Sequence, residues 1–161
     1  MARSGPKAAP WLHGARVLVV EDDAILAMEL GMIPEGAGAE IAGPCRTVAG
    51  ALTLIDARTD IAAAVLDGRI GRDTIAPVAR RLTRRGTPFV FYAGQFERGP
   101  ILAEWSDCKV IRKQATASAV LAAVAALGRG IPENAVRERK AQLPVSEEAG
   151  RQSADPRPRP V

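Results

Sequence analysis

The stretch VLVVEDD at residues 17–23 joins four apolar residues directly to three carboxylates. A second stretch, AAAVLD at residues 62–67, has the same arrangement and ends at Asp67. Short apolar runs bounded by polar residues are typical of buried strands in a parallel sheet. Because functional groups of open α/β sheets collect outside the carboxyl ends of the strands, we expect Glu21, Asp22 and Asp67 to meet there. Neighbouring carboxylates repel each other, and a bound cation or a shared proton relieves the repulsion. The two stretches therefore predict a site for Mg²⁺ and a phosphoryl group.

The composition is that of one globular domain with room for tails, with 161 residues, 47% hydrophobic and 25% charged. The net charge is only +4, and the lysines and arginines are not interleaved with aromatic side chains, which make up 4% of the chain. This distribution argues against a nucleic-acid partner.

Nothing in the sequence suggests export or membrane insertion. No apolar run approaches the roughly 20 residues that span a bilayer, and no apolar segment follows the charges at the N-terminus. Cys45 and Cys108 lie far apart and form no C-x-x-C motif, so we expect reduced thiols. The protein is therefore predicted to be cytoplasmic.

Strand-like and helix-like segments alternate five times, which predicts an α/β fold with one parallel sheet and helices on both faces. The predicted strands are 16–21, 40–43, 61–66, 88–92 and 109–111. The predicted helices are 24–33, 48–57, 74–85 and 118–127, with a short helix between 94 and 108. The predicted N-caps are Asp22 or Asp23, Thr47, and Thr116 or Ser118. In the first helix we expect Ile25, Met28 and Ile33 to face the core, and Pro34 to end or kink the helix.

The two ends of the chain differ in composition from the middle. Residues 1–14 are rich in Gly and Pro and have no periodicity, which predicts a disordered leader, although Trp11 and Leu12 could pack as a lid. Residues 129–161 combine five prolines with Arg, Glu and Ser, which predicts a mostly disordered tail. A single folded domain is left at residues 15–128.

Lys113 follows the fifth predicted strand and brings a cation to the same edge as the acids. A carboxylate such as Asp67 can attack a phosphoryl group and form an acyl phosphate. The transfer depends on charge neutralisation. Mg²⁺ on one or two carboxylates provides it, and so does a lysine ammonium. The sequence thus predicts an acid pair for a metal, a nucleophile and a cation.

Four segments together resemble the receiver domain of two-component response regulators, in its stand-alone, single-domain form. They are VLVVEDD (17–23), AAAVLDGRIG (62–71), TPFVFYAG (87–94) and VIRK (110–113). The resemblance covers about residues 16–127, and it implies a bacterial signalling protein with a five-stranded sheet in the order 2-1-3-4-5.

The resemblance also implies roles for individual residues. Asp67 matches the phosphoacceptor, and Lys113 matches the lysine that contacts the phosphoryl group. Mg²⁺ would be held by Asp22 directly, by Glu21, by Asp67 and by the backbone carbonyl of Arg69.

Three positions depart from the family pattern. Ala93 stands where the family has Thr or Ser, Val110 where many members have an aromatic switch residue, and Gln114 where the family has Pro. Tyr92 is a candidate substitute for the missing aromatic. Because a cis bond before a residue other than proline costs about 3 kcal/mol, we expect a trans bond between Lys113 and Gln114 and a changed position of Lys113.

The leading hypothesis is a receiver that takes a phosphoryl group from a histidine kinase or phosphotransfer protein and signals by contact with an output protein. It would be no enzyme beyond slow self-dephosphorylation. The alternative is a pseudo-receiver, a binding module that acts without phosphorylation. A Mg²⁺-dependent phosphohydrolase is disfavoured, because Arg69 stands where such enzymes need a second acid. Val120 and Val124 belong either to the core or to a homodimer face.

Overall fold

The structure is a computed structural model that describes residues 9–94 and 100–130. Residues 1–8 of the predicted leader, residues 131–161 of the predicted tail and the segment 95–99 lie outside the described residues. The strands are β1 (Arg16–Val20), β2 (Glu40–Cys45), β3 (Ile61–Asp67), β4 (Phe89–Ala93) and β5 (Val110–Arg112). The helices are α1 (Ala24–Gly36), α2 (Val48–Ala57), α3 (Ala76–Arg84), α4 (Pro100–Glu104) and α5 (Ala117–Ala126).

The five strands form one parallel sheet in the order β2-β1-β3-β4-β5. This confirms the predicted fold class and strand order. A small antiparallel hairpin, Arg69–Ile70 paired with Asp73–Thr74, follows β3. Because β1 and β3 are neighbours, with Val20 beside Leu66, the residues after them emerge together at one edge of the sheet.

The core has two layers because successive strand residues point to opposite faces of the sheet. Val17, Val19 and Val65 pack in the cluster that also contains residues of α1 and α5. Leu18 and Leu66 pack in the cluster formed with α2 and α3.

The predicted caps account for the start of three helices. The Asp23 carboxylate accepts the backbone N–H of Ile25 and Leu26 at 2.9 and 3.0 Å. The Thr47 and Thr116 hydroxyls cap α2 and α5 in the same way. Each cap satisfies an N–H group that has no partner inside the helix.

The first helix is oriented differently from the prediction. Ile25 and Met28 are exposed, at 65% and 59%, whereas Ala27 and Leu30 are buried. Since this helix carries apolar residues on nearly all sides, its hydrophobic pattern does not select one face. Ala27 and Leu30 face the sheet, and Ile25 and Met28 point away from it.

Pro34 does not end α1 at the predicted place, because the helix runs on to Gly36. Pro34 lies in the last turn, so only Glu35 and Gly36 follow it in the helix. Its carbonyl accepts the N–H groups of Ala37 and Ala39 at 3.0 and 3.1 Å.

Strand β2 also runs beyond its predicted end at Gly43. It continues through a cis Gly43–Pro44 peptide bond to Cys45. An edge strand tolerates proline, since one of its sides has no neighbouring strand to bond.

Residues 9–14, placed by the sequence in a disordered leader, pack on the domain. Pro10–Leu12 forms a turn of 3-10 helix, and Leu12 is fully buried in the core layer next to α1 and α5. The Trp11 indole N–H donates to the carbonyl of Ala125 at 3.0 Å. This packing therefore extends before residue 15, the predicted start of the domain.

Two surface features are also decided by packing. Val120 and Val124 are 2% and 0% exposed, so they belong to the core and not to a dimer face. Arg80 on α3 pairs with Glu104 at 2.9 Å and lies 5.9 Å from the ring of Trp105, so it ties α3 to α4. In the described ranges, no helix combines the length and apolar character that crossing a bilayer requires.

Candidate functional site

Three carboxylates meet at the carboxyl edge of the sheet. Glu21 and Asp22 follow β1, and Asp67 is the last residue of β3. One oxygen atom from each lies within 4.8 Å of the others. The structure thus brings together the three acids that the sequence places at this edge, and their convergence follows from the adjacency of β1 and β3.

Glu21 is fully buried, and its two carboxylate oxygens differ in environment. Oε1 accepts the backbone N–H of Asp23 at 3.0 Å. Among the described residues Oε2 has no hydrogen-bond partner, and the Lys113 ammonium lies 3.5 Å from it. Burial raises the pKa of Glu21 from 4.5 to about 7, and the charge of Asp67 adds to this while the Asp23 hydrogen bond opposes it.

Asp22 is only half-buried and stays ionised. Its Oδ2 accepts the backbone N–H of Gly71 at 2.9 Å, and this hydrogen bond lowers the pKa of Asp22. Gly71 has a φ of +61° in the turn of the hairpin, a conformation that glycine adopts without strain. The hairpin therefore serves to hold Asp22, and Arg46 donates to the Asp22 backbone carbonyl at 3.0 Å.

Asp67 is 1% exposed and is held at both oxygens. Its Oδ1 accepts the N–H of Arg69 at 3.1 Å, and its Oδ2 receives the Lys113 ammonium at 2.9 Å. Lys113 thus spans Asp67 and Glu21 from the end of β5.

The peptide bond between Lys113 and Gln114 is trans, as predicted, since Gly43–Pro44 is the one cis bond within residues 9–94 and 100–130. The Lys113 side chain nevertheless reaches Asp67. Its backbone N–H donates to the carbonyl of Ala93 at 3.0 Å. Its carbonyl accepts the Tyr92 hydroxyl at 3.1 Å.

The three atypical positions lie around this group without adding a charge to it. Ala93 is the buried last residue of β4 and has no hydroxyl to offer. Val110 is 40% exposed at the start of β5, and Gln114 is exposed in the turn after it.

The donor set fits Mg²⁺, because it consists of carboxylate oxygens from two chain segments with a half-exposed acid at its rim. The buried Oε2 of Glu21 lacks a hydrogen-bond partner in the part of the chain that the structure describes, and a cation or its bound water would satisfy it. The backbone carbonyl of Arg69 belongs to the first residue of the hairpin, directly beyond Asp67 and Gly68.

Sequence reasoning missed three contacts of the site: the Gly71 N–H, the Arg46 guanidinium and the bond between Tyr92 and Lys113. Gly71 had a local signal, as a glycine in a loop next to the acceptor strand. The contacts of Arg46 and Tyr92 join residues 21 or more positions apart, and no sequence pattern predicts them.

Several solved structures are similar to this chain in fold. The protein in the solution structure of SdrG from Sphingomonas melonis Fr1 is 34% identical in sequence to this chain, and the two structures match with a TM-score of 0.63. The match covers 71% of this chain and 96% of that one. The BeF3-activated conformation of SdrG from Pseudomonas melonis Fr1 is 32% identical with a TM-score of 0.57, over 70% of this chain and 95% of that one. The crystal structure of a response regulator receiver protein from Sinorhizobium medicae WSM419 shares 21% identity and the fold, with a TM-score of 0.62 over 80% and 98% of the two chains. No protein-family profile and no curated protein sequence matches the chain.

Proposed function

Because this chain belongs to the receiver family of response regulators, we propose that it accepts a phosphoryl group on Asp67 from the phosphohistidine of a histidine kinase or phosphotransfer protein. The phosphorylated domain then signals by contact with an output protein. The observation that carries this proposal is the Lys113 ammonium, which lies 2.9 Å from Asp67 and 3.5 Å from Glu21 within a group of three carboxylates.

In the proposed reaction the phosphorus–nitrogen bond of the phosphohistidine breaks, and a phosphorus–oxygen bond to Asp67 forms. The imidazole keeps the electron pair of the broken bond and takes a proton from solvent, while Asp67 becomes an acyl phosphate. Lys113 already contacts Asp67, so its charge lies beside the oxygens of the incoming group. Slow attack of water on the phosphorus releases phosphate and restores the carboxylate.

Glu21, Asp22 and Asp67, together with the backbone carbonyl of Arg69, are the residues that would hold Mg²⁺. When bound, the ion supplies positive charge to the phosphoryl oxygens. Asp22 suits direct ligation, because it is half-exposed and its pKa is lowered by the Gly71 hydrogen bond.

Cys45 and Cys108 are both free thiols, which fits our proposal that the reaction takes place in the bacterial cytoplasm.

An exposed apolar surface borders the site and suits the phosphodonor protein. Ile25, Met28 and Met32 share one face of α1 and are 65%, 59% and 60% exposed, and we call them the α1 stripe. This helix begins at Ala24, two residues after Asp22. A protein that brings its phosphohistidine to Asp67 must cover the rim of the site, and an apolar surface there gains stability when covered.

The assignment of the α1 stripe has a direct test. Met28→Glu slows phosphoryl transfer from a donor protein and leaves labelling by acetyl phosphate unchanged, because the small donor needs no docking surface. Thr53→Glu, at an exposed position of α2, is the matched control and alters neither rate. Equal rates of protein-to-protein transfer for Met28→Glu and wild type contradict the assignment.

The main proposal is tested by phosphorylation of the isolated protein. With Mg²⁺ and radiolabelled acetyl phosphate, the wild type gains an acid-stable, base-labile label that Asp67→Asn abolishes. Asp107→Asn, an exposed aspartate outside the site, keeps the label. A wild-type protein that takes no label from acetyl phosphate or from cognate donors contradicts the proposal.

The absent hydroxyl at Ala93 favours one second candidate, a pseudo-receiver whose partner contacts need no phosphoryl group. In that case Asp67→Asn retains full affinity for the output protein and the wild-type phenotype. A loss of either in Asp67→Asn excludes the candidate.

A further inference from the structure

Tyr92 contacts Lys113 at both ends of that residue. Its hydroxyl donates to the Lys113 backbone carbonyl at 3.1 Å, and its ring centroid lies 5.8 Å from the Lys113 ammonium nitrogen. A cation at this distance from an aromatic ring is attracted by the negative face of the ring. One side chain therefore restrains the turn that carries Lys113 and also the charge at its tip.

Tyr92 is also attached to the acceptor strand through its backbone. It pairs with Asp67 between β4 and β3, and its carbonyl accepts the N–H of Gly68 at 3.3 Å. Tyr92 is 6% exposed and belongs to the core cluster that also contains Ile111 and Val120. Tyr92 thus spans the distance from the residue that would be phosphorylated to the lysine beside it.

The hydroxyl of Tyr92 is not needed to fill space in the core, because a phenylalanine at this position would fill nearly the same volume. Burial raises the pKa of Tyr92, so the hydroxyl keeps its proton and remains a donor. The neighbouring Ala93 offers only its backbone carbonyl, which accepts the N–H of Lys113. The polar side-chain contribution from the end of β4 therefore comes from Tyr92.

We propose that Tyr92 is a positioning residue that holds Lys113 against Asp67. This inference rests on the proposed function, since the rate it controls is that of phosphoryl transfer to Asp67. Tyr92 acts through Lys113 and not through the metal. Among the described residues, its side chain makes no hydrogen bond to the carboxylates of Glu21, Asp22 or Asp67.

The kinetic test compares wild type with Tyr92→Phe and Tyr92→Leu in labelling by acetyl phosphate across a Mg²⁺ titration. Tyr92→Phe labels about three- to tenfold more slowly at saturating Mg²⁺, as expected for the loss of one hydrogen bond, and Tyr92→Leu more slowly still. The Mg²⁺ concentration for half-maximal rate stays unchanged. Ile55→Val, in the other core layer, is the matched control that lowers stability without slowing the labelling. A Tyr92→Phe protein that labels at the wild-type rate overturns the proposal.

A second readout does not depend on phosphorylation, because Tyr92 is the single tyrosine of the chain. Protein grown with 3-fluorotyrosine gives one fluorine resonance in NMR spectra. Lys113→Met, which removes the charge and keeps the length, shifts this resonance, whereas Ile55→Val leaves it in place. If the wild type takes no label but this shift is present, the proposed function fails and the contact between Tyr92 and Lys113 stands. A resonance that Lys113→Met does not move overturns the positioning role in either case.

Discussion

Glu21→Gln changes how the stability of the metal-free protein depends on pH. The buried Glu21 carboxyl has its pKa raised from 4.5 to about 7, mainly by burial. The folded protein therefore binds a proton at Glu21 more tightly than the unfolded chain does. Such a group contributes stability that is fully present below the unfolded pKa and is lost as pH rises through the folded pKa.

The size of the effect follows from the difference between the two pKa values. One pKa unit corresponds to about 1.4 kcal/mol, so a rise from 4.5 to about 7 corresponds to roughly 3 kcal/mol. Most of this is lost between about pH 5 and pH 8. The glutamine side chain of the variant cannot ionise, so the variant lacks this loss. Its stability relative to wild type therefore increases from pH 5 to pH 8.

The assay is urea unfolding followed by circular dichroism at several pH values from 5 to 8, with EDTA present to exclude bound metal. The difference in unfolding free energy between wild type and Glu21→Gln reports the titration of Glu21 together with its effect on the neighbouring charges of Asp67 and Lys113, because titrating groups far from Glu21 behave alike in both proteins. Ile55→Val, which changes the core without changing any charge, is the control, and its pH curve runs parallel to that of wild type. Parallel pH curves for wild type and Glu21→Gln refute the reasoning.

Two further predictions concern the segment before β1. Leu12→Ala lowers the unfolding free energy by about 2–5 kcal/mol in urea unfolding, because Leu12 is fully buried. The control Ile25→Ala, at an exposed position, changes the unfolding free energy by less than about 0.5 kcal/mol. Equal effects of the two substitutions contradict the packing described. Gly128→Ala displaces Trp11, since a Cβ at residue 128 would overlap the indole ring, and the variant loses about 1–3 kcal/mol of stability. In a Trp11→Ala background the same substitution costs almost nothing, and an undiminished cost there shows that the two residues do not touch.

Much of the fold could be predicted because its signals are local. The apolar runs at 17–20 and 61–66 have the length and composition of buried strands, and Asp23, Thr47 and Thr116 cap helices through contacts within three residues. The strand order followed from the resemblance to receiver domains. The orientation of α1 could not be predicted, because a helix that is apolar on most sides has no pattern to orient it.

The candidate site divides in the same way. The acids at 21, 22 and 67 and the lysine at 113 were recognisable because each follows a strand, and parallel strands bring their carboxyl ends to one edge. Their environments were not recognisable from spacing. The burial of Glu21 beside Lys113 and the hydrogen bond from Tyr92 to Lys113 depend on which atoms face each other after packing.

The sequence by itself therefore determined the alternation of strands and helices, the positions of the caps and the chemical groups at the edge of the sheet, because these depend on neighbours in the chain. Only the tertiary structure decided that Leu12 completes the core, that α1 exposes Ile25, Met28 and Met32, and that Lys113 spans Asp67 and Glu21 under the restraint of Tyr92. The physical reason is that burial and contact between residues far apart in the chain exist only once the sheet has brought them together.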